Sequence, residues 1–252
     1  MIYNFLAAQA DGLDIAYIVV TGVLILVIVA ALIAQIFVAV GYWQGNRVQN
    51  SLGLTGEEFA RRLLDANGMQ DVQVKKCGIL RTLLFGNHYS IMKRTVYLRT
   101  FTIKKASVTS VAIAAQKAAL AEMHRNGDRQ MIVRGRLQGF GIFAPSLFLP
   151  LLIIGLVVDL LVIHFLVFTI VAIVIGLLFI VFSFVVTLLN IPVEKRAMVR
   201  AKEWLNASLT PEENKRIEKI FRCYMVEYVL QFIIAILRLI QLILKILSAA
   251  KR

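Results

Sequence analysis

Cysteine is scarce: the chain has only Cys77 and Cys223 among its 252 residues. Both fall in basic stretches, so a disulfide-stapled secreted scaffold is excluded and free thiols on a reducing side are expected. Lysine and arginine are missing from residues 1–46 and 137–194. With no basic residue ahead of its first apolar run, the N-terminus lacks the basic flank of a secretory signal and the pattern of a transit peptide. A P-loop, a Gly-x-Ser-x-Gly turn, a Cys-x-x-Cys pair and a His-Glu-x-x-His helix are absent too. Those absences remove the most readable signatures of nucleotide, acyl-transfer, redox and zinc chemistry.

What is present is apolar and basic. Hydrophobic residues make up 59% of the chain and the mean hydropathy is +0.77, too apolar for an ordinary soluble fold. The 28 basic residues against 15 acidic ones fall in two blocks, 16 in residues 47–136 and 12 in residues 195–252. Basic loops stay on the cytoplasmic side during insertion, so the pattern reads as membrane topology. A nucleic-acid module would interleave its charge with stacking aromatics on a soluble face, and no nucleic-acid partner is expected.

Residues 1–14 are expected outside, because Asp11 and Asp14 precede the first apolar run and basic residues follow it. Residues 15–43 carry no Asp, Glu, Lys, Arg or His and are long enough for one tilted crossing. Residues 44–136 form an inner segment. Within it Thr55-Gly56-Glu57-Glu58 is a capping box, and Asn67-Gly68 is a helix stop. Residues 72–75 and 95–99 alternate weakly and are expected to pair as short strands. Residues 107–124 read as an alanine-rich helix with Ser107 as cap.

Residues 137–193 contain Asp159, His164 and no basic residue. As helix they would measure about 85 Å, which requires a hairpin of two crossings with Asp159 and His164 near its outer turn. Residues 194–252 return inside, where Thr210-Pro211-Glu212-Glu213 opens a second helix. Over 212–250 that helix carries Glu227, Gln231, Arg238, Gln241 and Lys245 on one face. It suits the interface, though a crossing with its polar stripe against other helices is the alternative. The Asn206-Ala207-Ser208 sequon faces inward and would go unmodified. The expected fold is mainly α: a multi-pass membrane protein with a small membrane-associated α(+β) peptidase-like domain.

The peptidase element of that expectation comes from resemblance. Residues 51–74, SLGLTGEEFARRLLDANGMQDVQV, are similar to the pattern GLTG-x-E-x-A-R-x-(I/L)-L-D-x-N-G-x-x-D-V-x-V. Asn87-His88-Tyr89-Ser90 before TVYLR resembles DHYDPR…V-x-L. Residues 107–121, SVTSVAIAAQKAALA, lie where SVAA-x-x-VAAHE-x-GHA is found, and Ile191-Pro192-Val193-Glu194 with Arg196-Ala197 resembles LPVEF-x-AS-x-RA. Order and spacing agree over roughly residues 50–250. Together these stretches resemble the YugP-like family of membrane zinc metallopeptidases. The resemblance implies a gluzincin-like site, with zinc on the two histidines of HExxH and a downstream glutamate.

Two histidines at i and i+4 share a helix face and grip one zinc ion, while the glutamate between them takes a proton from zinc-bound water. Here Gln116 stands for the first histidine, Lys117 for the glutamate and Leu120 for the second histidine; only Glu194 survives. Asn87 and Ser90 replace the two aspartates of the second motif. An amide, an ammonium group and an aliphatic branch cannot hold a catalytic ion, so no metal, cofactor or catalytic residue is expected. His88 and His124 are isolated in sequence and read as solvated or capping groups.

A carboxylate robbed of its cation is costly unless another positive charge replaces it. Lys117, or a basic neighbour, is therefore expected to pair with Glu194, the alternative being that Lys117 faces solvent. The function expected is a catalytically inactive, metallopeptidase-like accessory or structural subunit of a membrane complex. It would contact lipid, and other membrane proteins through the hairpin and the C-terminal helix. Its expected place is a bacterial inner membrane, or an organellar one, with the N-terminus outside. The competing readings are an active zinc peptidase with an unconventional ligand set and a small transporter. Against the transporter, the crossings hold no charged relay beyond Asp159.

Overall fold

The structure, a computed structural model, describes residues 2–163 and 165–251. His164, expected near the outer turn of the hairpin, lies outside the described residues. Helix α1 (Ile2–Arg47) is continuous, so the expected boundary at residue 15 is not a break in the helix. At its C-terminal end the Arg47 guanidinium sits 3.4 Å above the centre of the Trp43 ring, an aromatic–basic pair suited to a membrane boundary.

A small domain follows. In α2 (Gly56–Ala66) the capping box closes both ways: the Glu58 N–H donates to Thr55 Oγ1 at 3.3 Å, and the Thr55 N–H donates to Glu58 Oε2 at 2.8 Å. Those bonds hold the Glu58 carboxyl below its ordinary pKa. The helix stops at Asn67, and Gly68 takes the left-handed φ of +68°. Gly56 has a second reason to be glycine, since a Cβ there would collide with the Thr102 carbonyl.

Strands β1 (Gln73–Lys76) and β3 (Thr95–Leu98) pair in parallel, with Val74 opposite Val96. The short β2 (His88–Ser90), not foreseen as a strand, adds antiparallel to β3 and gives the order β1-β3-β2. Two short helices flank the sheet, α3 (Ile79–Phe85) after β1 and α4 (Thr100–Ile103) after β3.

Helix α5 (Val108–Arg125) is the spine of this domain and is buried from Val108 to Ala121. Its Ser107 cap accepts from the Ser110 N–H at 3.1 Å. Its alanines let α2 and α7 approach closely, and Phe59, Leu64, Met69, Leu98 and Leu205 close the core around it.

The hairpin is α6 (Arg129–Val158), a π-helical turn (Asp159–Ile163) and α7 (Val167–Asn206). Asp159 sits at the turn and accepts from the Phe168 and Thr169 N–H groups at 2.9 and 2.6 Å, satisfying the first free donors of α7. Gly155 lets the helices meet, since a Cβ there would lie 2.8 Å from the Phe168 carbonyl oxygen. Helix α7 continues without a break through Pro192 and carries Glu194 into the domain.

Helix α8 (Pro211–Lys251) opens on the expected cap, with the Thr210 N–H donating to Glu213 Oε2 at 2.9 Å. It then runs antiparallel along α1. Leu24, Ala31 and Ile234 form a buried seam, the Gln241 amide donates to Thr21 Oγ1 at 2.7 Å, and the Ser248 hydroxyl donates to Asp14 at 3.0 Å. The polar stripe expected on residues 212–250 is thus set against another helix at Gln241. Three helical stretches among the described residues are long and apolar enough to cross a membrane: Asp14–Arg47, Val167–Asn206 and Pro211–Lys245. The protein is thus mainly helical and membrane-embedded, with one small sheet.

Candidate functional site at the α5–α6–α7 junction

Helical spacing places Gln116 and Leu120 on one face of α5, with Lys117 beside them. That face meets α7 just after Pro192, and Glu194 points into the junction with only 1% of its surface exposed. The Gln116 amide donates to Glu194 Oε2 at 2.8 Å and the Lys117 ammonium to the same oxygen at 3.3 Å. Arg134 of α6 donates to Glu194 Oε1 at 2.5 Å and to Asn190 Oδ1 at 2.7 Å. Leu120, also buried, supplies no polar atom.

Arg134 was not singled out in the sequence, although a basic neighbour of Lys117 was allowed for. The only signal for it was its position as the penultimate basic residue before the apolar hairpin.

Both carboxylate oxygens are therefore engaged, by two cations and an amide. The cluster carries one formal negative and two positive charges, the reverse of a cage for a divalent ion. Burial pulls the Lys117 pKa below its ordinary value, and the Glu194 charge opposes that pull. A zinc site needs thiolate, imidazole or carboxylate donors with one position left for water. The donor set here does not fit zinc. Among the described residues no group of three or more His, Cys, Asp or Glu is placed to hold a metal ion.

Two cavities flank Lys117. One, of about 440 Å³, is lined by His88, Leu120, Arg134, Asn190, Glu194 and Tyr228, among others. The other, of about 780 Å³, reaches α1 at Gln35, Tyr42 and Trp43. Asn87, Lys117, Glu227 and Tyr228 border both, so the second motif and the face of α8 meet at the site.

His88 and His124 are both engaged within the domain. His88 is buried, with Nδ1 at 3.0 Å from the Gly86 carbonyl and its ring stacked 5.0 Å from Tyr97. His124 Nδ1 lies 2.9 Å from the Tyr89 hydroxyl. Burial pushes the Tyr89 phenol up to about 12 and the His124 imidazole below its ordinary value. Around the site, Arg200 of α7 forks onto Glu122 of α5 at 2.7 and 2.8 Å, and Arg196 reaches Asp128 at 3.0 Å. The junction is thus clamped on its polar side.

At this junction a buried glutamate of the long, partly apolar α7 meets the alanine-rich face of α5. The chain belongs to the family described as "Putative neutral zinc metallopeptidase", which it matches over residues 19–247. Among individual proteins it is similar to the "Putative membrane protease YugP" of Bacillus subtilis (strain 168). The two are 26% identical over 219 residues, which cover 85% of this chain and 91% of that protein. No solved structure matches the chain.

Proposed function

We propose that this chain is a non-catalytic member of its family, an integral membrane protein that keeps the peptidase fold as an accessory or structural subunit for other membrane proteins. One observation carries the reading. The Glu194 carboxylate is taken up on both oxygens by Gln116, Lys117 and Arg134, so the position of a metal ligand is filled by a structural ion cluster. Lys117, an amine, occupies the place of the glutamate between the two histidines. Gln116, Lys117, Leu120 and Glu194 are then vestigial, and Arg134 completes the cluster that replaced the ion.

The same reading places α1, α6, α7 and α8 across an inner membrane. The basic domain lies on the cytoplasmic side, and the pairing of Ser248 with Asp14 brings both chain ends to the outside. Partner membrane proteins would pack on the hairpin and on α8, whose outward faces are apolar.

Family membership favours a second reading, an active zinc peptidase with an unusual ligand set. Metal quantification and a peptide-cleavage assay on the protein purified in mild detergent separate the two. The expected result is no stoichiometric zinc and no chelator-sensitive cleavage, with other membrane proteins co-purifying. Stoichiometric zinc lost on Glu194→Gln would overturn the proposal.

A further inference from the structure

We propose that the face formed by α3 and α4 is a docking site for anionic phospholipid of the leaflet next to the inner domain. Ile79, Leu80 and Phe101 are 93%, 71% and 70% exposed, a degree of solvent contact that large apolar side chains of an inner domain do not ordinarily keep. Their depth is fixed by α1. The Tyr42 hydroxyl and Thr102 Oγ1 of α4 lie 2.9 Å apart, so α4 sits level with the aromatic end of the apolar run. Phe85, the last residue of α3, lines a cavity with Val38 and Gln35, which lie about 6 and about 10 Å beyond Tyr42 along α1. The two short helices therefore stand at the lipid boundary, where an exposed apolar face meets acyl chains rather than water.

The charge around that face has one sign. Between Asp71 and Glu122 the chain holds no acidic residue and nine Lys or Arg. Lys76 and Arg99 line a cavity of about 700 Å³ with Ile79 and Thr100. Exposed Lys75, Lys104 and Lys105 extend the basic rim. Basic side chains over inserted apolar ones match a phosphate headgroup above its acyl chains. Arg99 and the β1–β3 pairing, with Lys76 opposite Leu98, hold the two halves of the face together. The inference rests on α1 crossing the membrane and is independent of whether the α5–α7 junction is catalytic.

The test uses the full chain in vesicles of phosphatidylcholine and phosphatidylglycerol, with one of the two lipids brominated on its acyl chains. Leu80→Trp adds emission above that of Trp43 and Trp204. Brominated chains are expected to quench the added emission, and more strongly on phosphatidylglycerol than on phosphatidylcholine at equal mole fraction. Each basic residue near an anionic surface contributes about five-fold in affinity, so Lys76→Gln should weaken the preference by up to about that factor. Phe101→Trp provides the same readout should Leu80→Trp fail to accumulate. Absence of quenching by either lipid would place the face in water or beneath another protein and overturn the proposal. Equal quenching by both would overturn the recognition of anionic lipid.

Discussion

Two glutamates on successive helices are buried and fully bonded, yet they are held in opposite ways. Glu213, at the start of α8, accepts from the N–H and hydroxyl of Thr210 and from the N–H and hydroxyl of Ser51, at 2.6 to 2.9 Å. All its donors are neutral, and half of them are three residues away. Glu194, within α7, is held by two cations and an amide from helices 60 to 78 residues away in sequence. The first arrangement is a helix cap that ties α8 to the loop before α2. The second is a charge balance that exists only once three helices have packed. Local donors make a carboxylate part of a helix; distant cations make it part of an assembly.

The comparison breaks most visibly at Glu194. Glu194→Ala leaves Lys117 and Arg134 buried without their anion, and about 3–5 kcal/mol of stability should be lost, read as a large fall in thermal unfolding temperature in detergent. Lys117→Met alone should cost less, since Arg134 still holds the carboxylate. The Lys117→Met and Glu194→Gln pair should couple by about 0.5–3 kcal/mol, and strict additivity would deny the cluster.

Glu213→Ala should cost about 1–2 kcal/mol, the range of a lost helix cap, with faster hydrogen exchange confined to the first turn of α8 and the Ser51 loop. A loss as large as that at Glu194 would erase the distinction drawn above.

The smallest effect is a pH dependence at the neutral His124–Tyr89 pair. Burial, then Arg94 and Arg136, depress the folded His124 pKa below 6.5, so the unfolded chain binds the proton more readily. Stability should fall as pH drops from about 6.5 toward the folded value and then level off. His124→Gln should flatten that slope in unfolding curves recorded across this range, and an unchanged slope would assign it to another group.

Parts of this structure were legible in the chain because their causes are local. The capping box at Thr55, the stop at Gly68, the Thr210 cap and the hairpin around Asp159 each follow from residues within one or two turns. The pairing of β1 with β3 was also within reach of alternation. Strand β2, at three residues, is too short to show a period. The path of α8 along α1 was only an alternative in the sequence, because Gln241 reads as one polar-stripe residue among several until Thr21 stands opposite it. Arg134 escaped notice for the same reason. One arginine among many has no sequence mark that it will turn inward onto Glu194.

By itself the sequence determined that this protein is apolar enough for a bilayer, that its basic residues fall in two blocks, and that positions 116, 117 and 120 carry an amide, an amine and an aliphatic branch. Those follow from side-chain chemistry and hydropathy, which every residue carries with it. Only the tertiary structure decided what neutralises Glu194, where α8 lies, and which apolar residues remain facing outward. Electrostatic compensation and burial are properties of neighbours, and neighbours are assigned by packing.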